Sequence, residues 1–196
     1  MKDELFIYRR NALLDNLCKE WDNMWRACKE DKEKLVRFVM IQQSIPHFLT
    51  YCHQGKGLSK DYILKVFGDY VNGKYVGIDV DGVEGGYRTE LYVAYNDVLT
   101  VSDDVFVSMW SAIPSLEIST CKATKIYCGC SSEMHLVCGG YNSIVVMLFD
   151  NSTLYLDDVD EDSTVTIYRY SNDAKVEVGK YCLSDKIKMF DKELRL

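Results

Sequence analysis

From about residue 115 onward, apolar residues recur in pairs along the chain. The two members of each pair are separated by one position, and successive pairs begin 8 to 11 residues apart. The eight pairs are Leu116/Ile118, Ile126/Cys128, Leu136/Cys138, Val146/Leu148, Leu154/Leu156, Val165/Ile167, Val176/Val178 and Ile187/Met189. Because residues two apart lie on the same face of a β-strand, the pattern predicts short strands that each bury one face.

Two architectures share this pattern. An antiparallel meander or sandwich places strands at a spacing of about 8–12 residues. A parallel β-solenoid stacks short rungs, so that the apolar pair of each rung is covered by another rung. The constant position of the pair and turns that are not of the Asn-Gly hairpin type favour the solenoid. A small residue also recurs just before several pairs, at Ala123, Ser152, Ser163 and Ala174.

The first third of the chain has helical periodicity. One predicted helix carries apolar residues spaced three and four apart, at Leu14, Leu17, Trp21, Met24 and Cys28, with Asp22 on its polar side. A second helix is expected from near Glu30, ending before Pro46. A third begins after Ser59, which is a favourable N-cap residue, and its apolar side holds Tyr62, Ile63, Val66, Phe67 and Tyr70.

The pattern then changes to strands. Residues 75–80 and 90–95 alternate around a glycine-rich turn and predict a hairpin. We therefore predict an α+β protein with a helical head over residues 1–73 and a hairpin with connecting strands over 74–110. A β-rich body, solenoid-like or alternatively a meander, is expected over 111–196.

Charge divides the chain unevenly. Residues 1–73 hold 12 basic and 10 acidic residues, and residues 74–196 hold 11 and 20, so the two parts carry +2 and −9 and sum to −7. The acidic body argues against direct binding of nucleic acid and favours a protein partner with a basic surface, including a protein that itself binds nucleic acid. The residues predicted to bind it are Asp157, Asp158, Asp160, Glu161, Asp162, Tyr155, Tyr168 and Tyr170.

Residues 57–76, from Gly57-Leu58-Ser59 to Lys74-Tyr75-Val76, and residues 86–92 carry a resemblance to a known group. They resemble proteins of phages and mobile elements of gut Bacteroides that join a helical head to a β-solenoid tail. The units at 163–168 and 174–178 resemble those of that tail, although the units here are longer and less even. The resemblance implies the same two-part fold and an accessory role in a phage or mobile element, and it implies no enzymatic activity.

No group of residues predicts catalysis or a cofactor. Cys128-Gly129-Cys130, with Cys121, Cys138 and His135 nearby, lacks the ligand spacing of a structural zinc site, so buried free thiols are expected. No cysteine lies in a nucleophile motif. The acidic stretches 79–82 and 157–162 lack the spacing of an EF-hand calcium loop, which leaves weak calcium binding at 157–162 as an alternative.

These observations predict a non-enzymatic protein-interaction module. One concrete form is an inhibitor of a host defence nuclease, similar to an anti-CRISPR protein, whose acidic surface occupies a nucleic-acid channel. The alternative is a structural or assembly component of a phage particle, with copies associating through the ends of the solenoid. Because the sequence shows neither a signal peptide nor a membrane-spanning segment, we expect the cytoplasm, that of the host cell if the protein is phage-encoded.

Overall fold

A computed structural model describes residues 3–15, 19–28, 31–41, 45–71, 75–77, 88–101, 104–118 and 123–194. Among the described residues, five helices precede the strands, so the predicted helical head is present but contains more than the three predicted helices. The five helices are α1 (Glu4–Leu14), α2 (Lys19–Cys28), α3 (Lys32–Ile41), α4 (Ile45–His53) and α5 (Lys60–Phe67). None of the helices described is long and apolar enough to cross a membrane.

Side-chain caps explain where two of the helices begin. The Asp3 carboxylate accepts the backbone N–H of Leu5 at the start of α1, and the Ser59 hydroxyl accepts that of Tyr62 at the predicted start of α5. Each bond satisfies a backbone donor that has no partner within its helix. The third predicted helix is therefore confirmed at its amino terminus, although it ends at Phe67, earlier than expected.

The prediction of a single helix over residues 14–28 is wrong. Helix α1 ends at Leu14, whose side chain is exposed, and the buried residues of the next helix include Trp25 and Cys28. Asp22 does not face solvent either, because its carboxylate accepts a hydrogen bond from Arg9 Nε at 2.6 Å and pairs with Arg26. An ion pair between helices thus buries a residue that periodicity assigned to the polar side.

In the described parts of the chain, twelve strands follow in two sheets. They are β1 (Tyr75–Gly77), β2 (Arg88–Val93), β3 (Leu99–Val101), β4 (Val105–Met109), β5 (Ala112–Ile118), β6 (Ala123–Gly129), β7 (Glu133–Cys138), β8 (Ser143–Leu148), β9 (Thr153–Val159), β10 (Thr164–Arg169), β11 (Lys175–Val178) and β12 (Ile187–Asp191). The seven-stranded sheet has the order β1-β2-β4-β6-β8-β10-β12, and the five-stranded sheet has the order β11-β9-β7-β5-β3.

All strand pairs except β1–β2 are parallel. This pairing confirms the β-solenoid, of about five turns, and excludes the meander. The predicted hairpin is confirmed in the antiparallel β1–β2 pair. The parallel ladder already begins at β2, so the region expected to connect head and body contains the first strands of the solenoid.

Each ten-residue repeat forms half of a coil. Successive apolar pairs lie on opposite sheets, and the inward-facing residues of each strand stack on those of the strand two repeats away: Ile126 lies beside Val146, and Val146 beside Ile167. These side chains fill the space between the sheets and are 0% exposed. Of the small residues that precede pairs, Ser152, Ser163 and Ala174 are buried as well, whereas Ala123 is exposed.

The helical head packs on the outer face of the seven-stranded sheet. Leu49 of α4 is fully buried against Gly129 of β6, where a Cβ atom on the glycine would lie 3.3 Å from the leucine methyl carbons. Phe149, which follows β8, belongs to the same buried cluster. One face of the solenoid is therefore covered by helices, and the opposite sheet presents its outer face to solvent.

Candidate interaction surface

Carboxylates concentrate on the outer side of the five-stranded sheet. Among the described residues, this sheet and the turn after β9 carry eight carboxylates, of which all but the half-buried Asp160 are exposed, and one exposed lysine. The carboxylates, which together we call the acidic face, are Glu117, Glu133, Asp157, Asp158, Asp160, Glu161, Asp162 and Glu177, and the lysine is Lys175. The opposite sheet carries both signs on its strands and just after them: Lys125, Arg169, Lys188 and Lys192, and the carboxylates Glu90, Asp191 and Glu193. The excess negative charge of the body thus faces one side.

An irregularity in β9 adds to this face. Leu136 pairs with Leu156, but Val137 pairs with Asp158, so Asp157 is an extra residue in the ladder. Such a bulge reverses the alternation of side chains. Asp157 and Asp158 are consequently both exposed, and Val159 is fully buried. The acidic stretch expected to be a loop therefore begins as strand, and only residues after Val159 form the turn.

His135 and Tyr155 form an aromatic platform within the acidic face. They are cross-strand neighbours, and their rings stack with centroids 4.3 Å apart and planes 10° from parallel. The Asp157 carboxylate lies 3.0 Å from His135 Nδ1. The sequence did not predict this platform, because nothing in the local pattern indicates which residue of a later strand His135 meets.

Asp160 has a structural role in the turn. Its carboxylate accepts the backbone N–H of Gly140 from the neighbouring coil at 2.6 Å and that of Asp162 at 3.1 Å. These bonds, that of Gly140 first, stabilise the ionised form and lower the pKa of Asp160 below its ordinary value. Asp158, Glu161 and Asp162 remain exposed around it and form the accessible part of the predicted acidic loop.

Tyr168 and Tyr170 lie on the other sheet. Tyr168 stacks on Phe190 with centroids 5.5 Å apart, and Tyr170 stacks on Phe149 at 5.0 Å and packs against the buried cluster beneath the helices. Of the three tyrosines predicted to bind a partner, Tyr155 alone is on the five-stranded sheet. The eight predicted residues therefore do not share one surface.

The described cysteines of the candidate metal cluster are separated by the fold, and Cys121 lies outside the described residues. Cys128 and Cys138 point into the interior between the sheets, Cys130 lies in the turn beneath the head, and His135 is on the outer face. No group of three or more potential metal ligands occurs among the residues described. Burial raises the pKa of both Cys128 and Cys138 to about 12, so these thiols are protonated at neutral pH and are not activated nucleophiles.

Cys52 and His53 are adjacent in sequence but face different surroundings. Cys52 is buried, and burial raises the pKa of its thiol to about 12. His53 is partly exposed, with Nδ1 3.5 Å from the Asp150 carboxylate, which also accepts the Cys130 N–H at 2.9 Å. This contact joins the head to a turn of the solenoid. The acidic stretch 79–82 and the glycine-rich turn beside it lie outside the described residues.

A scan against models of protein families, a search of curated proteins and a search of solved structures each found no match to this chain. The assignment of the fold therefore rests on the strand pairing itself. The resemblance to phage and mobile-element proteins stays a prediction.

Proposed function

We propose that this chain is a non-enzymatic interaction protein that binds a basic partner through its acidic face. The observation that carries the proposal is the ratio of seven exposed carboxylates to one lysine on the outer side of a sheet that the helical head leaves uncovered. The parallel coils hold these carboxylates in fixed positions, so the acidic face would lose little conformational entropy when a partner binds. A one-signed surface of this kind also accelerates encounter with an oppositely charged protein.

The aromatic platform specifies arginine as the preferred contact on the partner. A guanidinium can stack on the Tyr155 ring and bond to a carboxylate at the same time, whereas lysine presents a compact charge. The Tyr155 ring is already held in place by His135, and Asp157 lies beside that pair. Arginine-rich surfaces are common in proteins that bind nucleic acid, and a defence nuclease encoded by the host belongs to this class.

Capture from host lysate with matched charge variants tests the proposal. In one triple variant, Asp158→Asn, Glu161→Gln and Asp162→Asn remove exposed charges of the acidic face and leave Asp160 in its turn. The control variant removes the same number of exposed charges elsewhere, through Glu20→Gln, Asp69→Asn and Asp185→Asn. We expect a partner that the wild type and the control capture and that the acidic-face variant loses.

The salt dependence of binding and the effect of Tyr155→Ala test whether the contact is electrostatic and whether it includes the aromatic platform. Binding of the captured protein, once purified, should weaken steeply as the salt concentration rises, because the contact is between exposed charges. Tyr155→Ala should weaken it further without changing this salt dependence. Equal capture by both triple variants, or a partner whose binding is insensitive to salt, would exclude the acidic face as the docking surface.

A second candidate function is assembly within a phage particle. The observation in its favour is the exposure of apolar side chains on the last coil, where Val178 is 51% and Met189 is 42% exposed. A component of a particle requires at least two contact surfaces per copy. Static light scattering of the purified chain tests this function, since masses above that of a dimer support it and a discrete monomer or dimer argues against it.

A further inference from the structure

A titratable ring lies within the acidic face. The side chain of His135, on the outer side of β7, is 38% exposed. Its ring stacks on that of Tyr155, with centroids 4.3 Å apart, and its Nδ1 atom lies 3.0 Å from the Asp157 carboxylate. The imidazole therefore contacts both the ring on which a partner's arginine would stack and a carboxylate beside that ring.

The charged groups around His135 come from its own strand and from three others. On the outer side of the sheet they are Glu133 of β7, Asp157 and Asp158 of β9, Glu117 of β5, and, beyond β9, Lys175 and Glu177 of β11. The residues of β5 level with His135 are the uncharged Pro114 and Ser115. Of the charged groups named, Asp157 is the one hydrogen-bonded to the ring. A proton gained by His135 therefore acts first on Asp157 and on the Tyr155 ring.

The two faces of the Tyr155 ring have different surroundings. His135 covers one face, and the residue of β11 beside Tyr155 is the exposed Glu177. Because neighbouring strands are about 4.8 Å apart, the Glu177 carboxylate is within reach of a group stacked on the second face. A guanidinium in this position would continue the column formed by His135 and Tyr155 and would bond to Glu177.

We propose that protonation of His135 controls whether the acidic face binds arginine, an inference that rests on the proposed function. While the imidazole is neutral, Asp157 contributes a full negative charge and the Tyr155 ring attracts a cation to its second face. Once His135 is protonated, the imidazolium forms a charged hydrogen bond with Asp157 and places a cation against the first face of the ring. An arriving guanidinium then meets a like charge across a single aromatic ring and a carboxylate that is already paired.

This change of charge falls in a pH range in which the other groups of the acidic face keep their charge. An ordinary histidine changes charge between about pH 5 and 8, whereas ordinary carboxylates do so near about pH 4 and arginine above about pH 12. The other two histidines of the chain, His47 and His53, lie on α4 in the head, on the opposite side of the solenoid. A pH dependence between these limits is therefore assignable to His135 by substitution.

Titration of the full chain with a hexa-arginine peptide at constant salt, followed by NMR through the amide signals of β9 and β11, tests the proposal. We expect the dissociation constant to rise about fivefold between about pH 8 and pH 5.5, the effect expected of one exposed pair of charges. His135→Gln takes up no proton and should bind the peptide equally at both pH values. His53→Gln is the matched control, because it removes a partly exposed histidine of the head, and it should keep the dependence of the wild type.

The ring protons of His135 give a second readout. Because binding and protonation are linked reciprocally, a peptide that prefers the neutral ring must shift the titration of these protons to lower pH. His135→Phe keeps an aromatic ring against Tyr155 without the charge, so its affinity for the peptide should also be independent of pH.

The outcomes separate this inference from the proposed function. Equal affinity of the wild type at both pH values, a pH dependence that survives in His135→Gln, or an unshifted titration of the ring protons would overturn the control by His135 and leave the arginine contact in place. Failure of the peptide to bind at about pH 8, where an ordinary histidine is neutral, would overturn the arginine contact and this inference together.

Discussion

The contact between Leu49 and Gly129 should determine how firmly the head is held on the solenoid. Leu49→Ala removes buried carbons from α4 and is expected to lower the free energy of unfolding by about 2–5 kcal/mol. Gly129→Val forces new methyl groups toward Leu49, whose methyl carbons already lie 3.3 Å from the position of a Cβ, and should cost about 1–3 kcal/mol. In the double variant the added valine fills the space that the leucine leaves, so the combined loss should be smaller than the sum of the two by at least about 1 kcal/mol.

Urea unfolding of the wild type, the two single variants and the double variant, followed by circular dichroism, measures the coupling energy between Leu49 and Gly129. Leu154→Ala combined with Gly129→Val is the control, because Leu154 is equally buried but lies between the sheets, whereas Gly129 contacts the head from the outer side. The control pair should be additive within about 0.5 kcal/mol. Additive losses for Leu49 and Gly129 would refute the reasoning, since they would mean that the head is not seated on β6 through this contact.

Three further predictions concern single features of the body. Gly179→Ala places a Cβ 2.7 Å from the Leu156 carbonyl oxygen, and we expect a loss of about 1–3 kcal/mol in urea unfolding with faster amide exchange in the last coil. Asp160→Asn should lower the free energy of unfolding at neutral pH. Because folding lowers the pKa of Asp160, its ionised carboxylate stabilises the folded chain at every pH above the pKa that Asp160 has in the unfolded chain. This difference from wild type should vanish as the pH falls through the folded pKa of Asp160, as thermal unfolding at a series of pH values would show. Cys128, with a pKa raised to about 12 by burial, should resist alkylation by iodoacetamide at neutral pH until the chain is unfolded, as peptide mass spectrometry would show.

The strand repeat was predictable because burial in a solenoid is strictly periodic. Pairs such as Val146/Leu148 point inward in every complete coil, and the sequence pattern identifies them without knowledge of the neighbours. That each repeat is half a coil could not be derived, because the pattern is identical for strands of either sheet. The division of residues 14–28 into two helices was likewise hidden, since the buried Arg9–Asp22 pair makes a charged residue part of a helix interface.

The acidic character of the body was predictable from composition, whereas its surface was not. A bulge in β9 places Asp157 and Asp158 side by side outside. The alternation is interrupted at these two residues, but the same interruption is expected where a strand ends in an acidic loop, as was predicted here. Tyr155 and Tyr168 each adjoin the inward-facing pair of their repeat but lie on opposite sheets, because successive strands belong to different sheets. A sequence that repeats every half coil therefore predicts which residues face outward and not which of the two faces they occupy.

The arrangement of charges on the acidic face limits how much their mutual repulsion destabilises the fold. Neighbouring strands are about 4.8 Å apart, so carboxylates directly opposite one another would repel strongly. The described pairs avoid this: Glu133 lies beside Thr153, Tyr155 beside Glu177, and Val137 beside Asp158. The face is therefore strongly acidic in sum although no carboxylates are directly opposed in these pairs. Neutralising Asp158, Glu161 and Asp162 should accordingly leave the melting temperature nearly unchanged, so that a loss of binding in that variant reports on charge and not on unfolding.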